Sequence, residues 1–126
     1  MSTAVDAPTG RPSAGAVPSA YLGLLTCRWT REMPAFLRHS RFYVLLVVAH
    51  DRADSLGNVH ALDGGDLVED LARSCCLPLA GAARHLAAAV ASGVLTERSP
   101  GLYVLAPAAV PDWNAAVDHL TAPTTP

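Results

Sequence analysis

The sequence contains no lysine, so that all nine of its basic residues are arginine. These nine arginines stand against eleven acidic residues, and the net charge of −2 excludes a chain that binds nucleic acid by bulk positive charge, although not one with a local basic face. Twenty-three alanines, ten prolines and arginine-only basicity are typical of a high-GC genome and indicate an actinobacterium. A length of 126 residues allows one domain with tails and excludes a multi-domain enzyme.

Signals for secretion and membrane insertion are also missing. The three cysteines are an odd number, and Cys75 and Cys76 are neighbours that rarely bridge each other, which excludes a disulfide framework. The N-terminus lacks a basic segment followed by an apolar one, so it is not a secretory signal. The longest apolar run, Phe42 to Ala49, is far shorter than the roughly 20 residues that span a bilayer. These absences predict a soluble, cytoplasmic protein.

Motifs for catalysis and for metal binding are not found. The sequence has no Gly-rich phosphate loop, no nucleophile motif and no metalloprotease signature, which predicts a protein that is not an enzyme and needs no cofactor. Cys75 and Cys76 do not have the spacing of a metal-ligand pair, and the histidines are scattered singly. Packing thiols are the main interpretation of the two cysteines, with a redox or metal switch as the alternative.

Composition divides the chain into one domain and two tails. Residues 1–20 consist mostly of Ala, Pro, Gly, Ser and Thr, which cannot bury enough apolar surface to offset the entropy of ordering. They are therefore predicted to be a disordered N-terminal tail, and residues 121–126 a disordered C-terminal tail. The domain is predicted to span residues 21–120.

Apolar spacing predicts helices in the first half of the domain. Tyr21 to Arg31 shows no sustained period, which leaves its structure open. Met33 to Arg52 has apolar residues at helical spacing and is apolar on several sides, so it is expected to be central in the fold. Ser40 and Arg41 are expected to divide it into two shorter helices. Val59 to Ala61 is expected to form a very short strand.

The second half predicts two helices and a hairpin. A helix is expected from Gly65 to Ser74, with Asp63 as its N-cap, and a second from Pro78 to about Ser92, with Gly93 as its C-cap. Two β-prone runs, 94–98 and 102–105, flank the turn at 99–101 and predict a hairpin. The acidic cluster that opens this half is interpreted as dipole-matching charge on a solvated helix face; it comprises Asp63, Asp66, Glu69 and Asp70.

A last short helix opens at Pro111-Asp112 and carries one apolar stripe. The stripe, at the i, i+3, i+4 and i+7 positions, consists of Trp113, Ala116, Val117 and Leu120. It is predicted to be a dimerisation surface, because short amphipathic terminal helices often pair across a two-fold axis. The region from Tyr21 to Phe36 is a further dimer candidate. The alternative is that both segments cap the core of their own domain.

The order of helix, short strand, helix, three-residue turn, helix and hairpin is that of a winged helix-turn-helix, a mainly α fold with a small β-hairpin. The segment from residue 76 to 95 resembles, in spacing, the second helix of bacterial winged-helix regulators of the MarR and ArsR type. The matching positions are Cys76-Leu77, Arg84-His85-Leu86 and Ser92-Gly93-Val94-Leu95. The resemblance covers roughly residues 41–105, without insertions.

The resemblance implies a DNA-binding transcriptional regulator that acts as a homodimer on double-stranded DNA. Its recognition helix, about 78–92, would enter the major groove, and its wing, 98–101, would lie on the backbone. The DNA-binding residues implied are Pro78, Leu79, Gly81, Arg84, His85, Arg98 and Ser99.

An alternative is a winged-helix protein-interaction module that does not read DNA sequence. On the recognition helix only Arg84 and His85 can hydrogen-bond to bases or phosphates, whereas the other outward positions are assigned to Leu79, Ala80, Gly81 and Ala88. Residues 21–52 hold five arginines against two acids, a net +3, and residues 53–105 hold three arginines against six acids, a net −3. If DNA is bound, the N-terminal helices must therefore help to hold it.

Overall fold

The computed structural model describes residues 16–122, a mainly helical fold with a small three-stranded antiparallel sheet. The helices are α1 (Ala16–Leu24), α2 (Thr30–Glu32), α3 (Ala35–Arg38), α4 (Arg41–Asp51), α5 (Leu67–Cys75), α6 (Leu79–Ser92) and α7 (Trp113–Thr121). A π-helical turn, Leu25–Trp29, joins α1 to α2. The strands are β1 (Asn58–Val59), β2 (Leu95–Ser99) and β3 (Leu102–Leu105). This architecture confirms the prediction of a mainly α fold that contains a hairpin.

Part of the predicted N-terminal tail is helical. Because α1 begins at Ala16, the assignment of residues 16–20 to a disordered tail is wrong. Packing against α4 and β3 stabilises this helix and buries Pro18 and Tyr21. Thr121, predicted as tail, is the last residue of α7. The remaining predicted tail residues, 1–15 and 123–126, lie outside the described part of the chain.

The predicted interruption between Met33 and Arg52 is confirmed. α3 ends at Arg38 and α4 begins at Arg41, with Ser40 as the N-cap between them. The Ser40 hydroxyl accepts a hydrogen bond from the Phe42 amide at 3.1 Å, which satisfies one of the first N–H groups of α4. α4 is central, as predicted, because it contacts α1, α3, α5 and α6.

Three aromatic side chains join the two ends of the described chain in one core. The Tyr21 and Trp29 rings meet edge to face with centroids 5.0 Å apart, and Trp29 meets Trp113 of α7 in the same manner at 6.0 Å. The core continues under α4 and the sheet through buried aliphatic side chains, among them Leu37, Leu45, Leu46, Leu71, Leu86, Val94, Leu95 and Leu105.

A sharp turn separates α5 from α6. The chain bends by 102° between the two helices, across a break of at most four residues. Cys76, in the turn, adopts the left-handed conformation with φ 57°, and its amide donates to Arg73, while the Leu77 amide donates to Ala72 at 2.9 Å. Two helices at about 90–120° joined by a short turn are the geometry of a helix-turn-helix.

The predicted N-cap of α5, Asp63, lies three residues before the observed N-cap. Asp66, not Asp63, is the N-cap, and its carboxylate accepts from the Val68 amide at 3.1 Å. Asp63 instead accepts from the Gly65 amide at 3.0 Å within the preceding turn. Two Asx residues three positions apart both suit a helix start, and the tertiary path of the loop selects the second.

The hairpin prediction is confirmed, and a third strand completes the sheet. β2 pairs with β3 and β3 pairs with β1, all antiparallel, in the order β1-β3-β2. The hairpin turn closes at Gly101, whose φ of 80° favours glycine. The short strand predicted near Val59 is thus the outer strand that anchors the hairpin to the helices.

Asp70 is buried, so its assignment to a solvated acidic face is wrong. Its carboxylate accepts from the Arg52 Nε at 2.7 Å, from the Leu62 amide at 2.8 Å and from the Ser74 hydroxyl at 3.2 Å. These bonds, Arg52 foremost, lower the pKa of Asp70 to about 2 against the opposing effect of burial. The pair ties the end of α4 to the middle of α5.

Among residues 16–122, no single helix is long and apolar enough to cross a membrane. The pair α5 and α6 passes the same length and composition test only when the two helices are taken together, across their 102° bend.

Candidate nucleic-acid interface

The outward face of α6 consists of small and apolar side chains. Leu79 is 55% exposed, and Ala80, Ala83 and Ala87 are exposed along the helix after it. The expectation that Ala88 lies on this face is wrong, because α7 packs against α6 and buries it completely. An apolar face of this kind can contact a thymine methyl group but offers few hydrogen bonds to base edges.

Arg84, the predicted base reader, is turned toward α7. Its Nε donates to the carbonyl of His119 at 3.1 Å, and its Nη2 donates to the carbonyl of Ala122. α7 begins beside the end of α6, where the Asp112 amide donates to Ser92 at 2.8 Å, and it runs back toward Arg84. The guanidinium therefore caps the C-terminal carbonyls of α7, where a positive charge also suits the helix dipole.

Replacing Arg84 with alanine is expected to lower the free energy of unfolding by about 1 kcal/mol, because the last carbonyls of α7 lose their donors. Urea denaturation followed by circular dichroism measures the change. Arg73→Ala, which removes an exposed arginine without a hydrogen bond inside the described residues, is the matched control and is expected to have little effect. Equal stability of the Arg84 variant and the native protein would contradict the capping role.

His85, the other predicted polar reader, makes an internal contact. Its Nδ1 lies 2.8 Å from the Gly81 carbonyl, one turn earlier in α6, and the ring is half-buried. A Cβ at Gly81 would come within 3.3 Å of the Pro78 ring, so glycine allows the start of α6 to close tightly. The Nδ1 atom of His85 is therefore engaged within the helix, and Gly81 has no side chain that could read a base.

The N-terminus of α6 retains backbone N–H groups for an anion. Pro78 occupies the N-cap position with φ −64° and ψ 160°, and no side chain caps the helix. The first intrahelical donor is the Ala82 amide, which reaches the Pro78 carbonyl at 2.9 Å. The amides before it are available to a phosphate, which helix N-termini bind well.

The predicted wing residues lie at the exposed tip of the hairpin. The register of β2 and β3 shifts between Glu97 and Ser99, so Arg98 is the extra residue of a β-bulge. Both Arg98 and Ser99 are exposed, and Arg98 has no ion pair or hydrogen bond within residues 16–122. This position suits contact with a phosphate backbone.

Arg73 is a candidate that the sequence analysis did not single out. It lines a surface groove of about 300 Å³ between α5 and the start of α6, which Leu77 and Leu79 also line. An exposed arginine in the last turn of α5 was visible in the sequence, but only the 102° bend brings it beside Leu79. Glu69 lines the same groove and places an opposing charge there.

Three of the five arginines that were expected to make residues 21–52 basic already contact other groups of the chain. Arg28 pairs with Glu32 at 2.9 Å, Arg52 pairs with the buried Asp70, and Arg38 donates to the carbonyls of Thr30 and Met33. Of the five arginines in this segment, Arg31 and Arg41 are exposed and make no such contact within the described residues. The segment therefore offers a nucleic acid fewer charges than its net +3 indicates.

Cys75 is a packing thiol, which confirms the main interpretation for this residue. It is 1% exposed and belongs to the core, and burial raises the pKa of its thiol. Cys76, in the turn, is exposed, so the interpretation as a buried packing thiol is wrong for this residue. Within residues 16–122, no group of three or more His, Cys, Asp or Glu side chains could hold a metal ion.

The apolar stripe of α7 packs against its own chain, which corrects its assignment as a dimerisation surface. Trp113 and Ala116 are buried in the core, and Val117 and Leu120 are partly buried against it. The alternative interpretation, that this helix caps the core of its own domain, is the one the structure bears out. Tyr21 and Trp29, from the other dimer candidate, are buried in the same core.

No family model, curated protein or solved structure matches the chain. The features that bear on function are therefore α6, the arginines beside it and the hairpin.

Proposed function

We propose that the chain is a winged-helix DNA-binding protein and acts as a transcriptional regulator. The observation that carries the proposal is the geometry of α5, α6 and the sheet: a 102° bend at a tight turn, followed by a hairpin that β1 anchors in the order β1-β3-β2. In a winged helix the second of these helices enters the major groove and the hairpin lies along the backbone.

Two exposed arginines support this placement, one before α6 and one after it in the chain. Arg73 lies in the groove beside Leu79, and Arg98 lies at the tip of the hairpin that follows α6. The uncapped amides at the start of α6 lie between them in the chain. Each of these groups can contact a backbone phosphate when α6 is inserted in the groove.

The proposed DNA binding depends mainly on the phosphate backbone and discriminates weakly between sequences. The outward positions of α6 are Leu79, Ala80, Ala83 and Ala87, while the Arg84 guanidinium caps α7. Apolar contacts can favour thymine, but each good bidentate base contact that is missing forgoes about 1–3 kcal/mol of discrimination. Binding is therefore expected to fall steeply as salt rises.

Fluorescence anisotropy with a labelled duplex at increasing salt tests the proposal. The native protein is expected to bind at low salt, with the logarithm of the association constant falling linearly with the logarithm of salt concentration. Arg73→Gln and Arg98→Gln should each weaken binding about three- to tenfold and make that slope shallower by about one. Arg28→Gln is the control, because Arg28 is exposed but already pairs with Glu32. Absence of binding at low salt, or equal effects of all three variants, would overturn it.

A protein-interaction module is the second candidate, and the apolar outward face of α6 favours it. The same face that lacks base-reading groups could pack against an apolar partner, and the acids Asp66 and Glu69 at the start of α5 would oppose an approaching phosphate. Binding through such a face would barely respond to salt. The salt titration therefore separates the two candidates.

A homodimer is part of the DNA-binding proposal, and the burial of Trp113 and Ala116 within their own chain supports a contact surface other than the α7 stripe. Within the earlier candidate region, Leu22 is 37% exposed and Phe36 is 50% exposed. Light scattering coupled to size exclusion gives the mass in solution and decides whether a second copy takes part.

A further inference from the structure

A groove runs between the second half of α6, the hairpin and α7. Its volume is about 360 Å³. Apolar side chains of α6 form one wall, and polar side chains from the hairpin and α7 stand opposite. The lining residues are Ala83, Ala87, Val90 and Ala91 on α6, with Glu97, Tyr103 and His119 on the other elements.

The groove exists because α6 carries alanine where its neighbours leave space. Ala83, Ala87 and Ala91 follow one another at four-residue spacing, so their methyl groups lie along one side of the helix. α7 crosses beside them and is held at its end by Arg84, while β2 and β3 close the other side. A larger side chain at Ala83 or Ala87 would fill the space.

The polar side of the groove carries one negative charge. Glu97 and Tyr103 are directly opposite each other on β2 and β3. Burial and the Glu97 charge together raise the pKa of Tyr103, so its hydroxyl stays neutral. The Gly101 amide donates a hydrogen bond to the Glu97 carboxylate at 3.3 Å.

Within residues 16–122 no arginine or histidine nitrogen forms an ion pair with Glu97. A carboxylate has four lone-pair sites, and the Gly101 amide uses one of them, so Glu97 retains room for a charged donor from outside. An apolar wall that faces one acceptor of this kind complements an apolar molecule with one positive end.

We propose that the groove binds a small organic amine, with its ammonium group on Glu97 and its apolar body against the alanine wall of α6. A groove of about 360 Å³ suits a compact ligand near the lower limit of ordinary small-molecule sites. Anions are disfavoured by Glu97, and a neutral molecule of the same shape would gain only the apolar contact. This site is separate from the proposed phosphate contacts of Arg73 and Arg98.

Three probes with one apolar body test the charge requirement: 4-phenylbutylamine, 4-phenylbutanol and 4-phenylbutyrate. Titration calorimetry at one fixed pH measures the affinity of each probe for the native protein. We expect the amine to bind most tightly, the alcohol about three- to tenfold more weakly, and the carboxylate not measurably. Equal binding of all three probes, or no binding of the amine, would overturn the proposal.

Three variants locate the site. Glu97→Gln should weaken the amine about three- to tenfold and leave the alcohol within about twofold, which removes the discrimination between them. Ala87→Phe should abolish binding of both probes by filling the groove. Ala80→Phe is its control, since Ala80 is an exposed alanine of α6 outside the groove. Unchanged amine binding by Glu97→Gln or Ala87→Phe, with native circular dichroism, would overturn the assignment.

No DNA is present in these titrations. Failure of amine binding and failure of duplex binding are therefore read separately, and neither result decides the other.

Discussion

Replacing Asp70 with asparagine is expected to lower the free energy of unfolding by about 3 kcal/mol. The side chains of Arg52 and Asp70 are 12% and 4% exposed, and the carboxylate accepts hydrogen bonds from Arg52, Leu62 and Ser74. Removing one member of a buried ion pair leaves the other charge without compensation, which costs about 3–5 kcal/mol. The lower end applies because Asp51 also pairs with Arg52, at 2.7 Å.

Urea denaturation of Asp70→Asn beside Glu69→Gln measures this effect. Glu69 is the preceding residue of α5 but is exposed, so its neutralisation should change stability by no more than about 0.5 kcal/mol. The double variant Arg52→Met/Asp70→Leu should recover most of the lost stability, since it removes both charges and restores apolar contact. Equal small effects at Asp70 and Glu69 would show that the pair contributes little.

The Asp70 contribution should also depend on pH in a defined range. The pKa of Asp70 in the folded protein is about 2, below its ordinary value of 3.8, so the folded state favours the ionised form. The resulting stabilisation, about 2 kcal/mol, is fully present above pH ~4 and is lost as pH falls toward ~2. The stability difference between the native protein and Asp70→Asn should therefore narrow below about pH 4. A difference that stays constant down to about pH 2 would contradict this linkage.

Replacing Trp113 with alanine is expected to cost about 3–4 kcal/mol of stability. Trp113 is 8% exposed, meets Trp29 edge to face at 6.0 Å and joins α7 to the N-terminal helices. Trp113→Phe should cost clearly less, because it keeps an aromatic ring and removes the Nε1 group, which is buried and has no hydrogen-bond partner within residues 16–122. Val110→Ala is the control, since Val110 is 87% exposed just before this helix.

The same variants test whether α7 packs against its own chain or against a second copy. If Trp113 packs within one chain, Trp113→Phe should leave the concentration dependence of the urea midpoint the same as in the native protein, also where a homodimer forms through another surface. A midpoint that rises with concentration in the native protein and becomes constant in Trp113→Ala would place this tryptophan at a dimer contact instead.

Elements of this fold were predictable where the signal was local. The division of residues 33–52 at Ser40, the left-handed Gly93 after α6 and the hairpin turn at Gly101 all depend on neighbours within a few residues. The N-cap of α5 was misplaced because Asp63 and Asp66 satisfy the same local rule. α1 was missed at its start because its composition is poor in large apolar residues, and only packing against α4 and β3 makes it stable.

The candidate interface was less predictable than the elements that carry it. The sequence placed Leu79, Ala80 and Ala88 outward, but helical spacing could not indicate that α7 would cover Ala88 and bind the Arg84 guanidinium. Asp70 had one usable signal: it lies three residues after Leu67 and beside Leu71, on the apolar side of α5. An acid at such a position is an indication of a buried partner, here Arg52.

The nine arginines, which stand in a chain without lysine, show which properties the sequence specifies and which depend on the tertiary structure. The sequence by itself determined the order of the elements from α3 to α7, with the tight turn before α6 and the hairpin, because backbone preference and apolar period act over a few residues. Only the tertiary structure decided which arginines are structural and which face outward. Arg52 and Arg84 bind a carboxylate and carbonyls of distant segments, while Arg73 and Arg98 remain at the surface. Long side chains find partners across space, and no spacing along the chain specifies that partner.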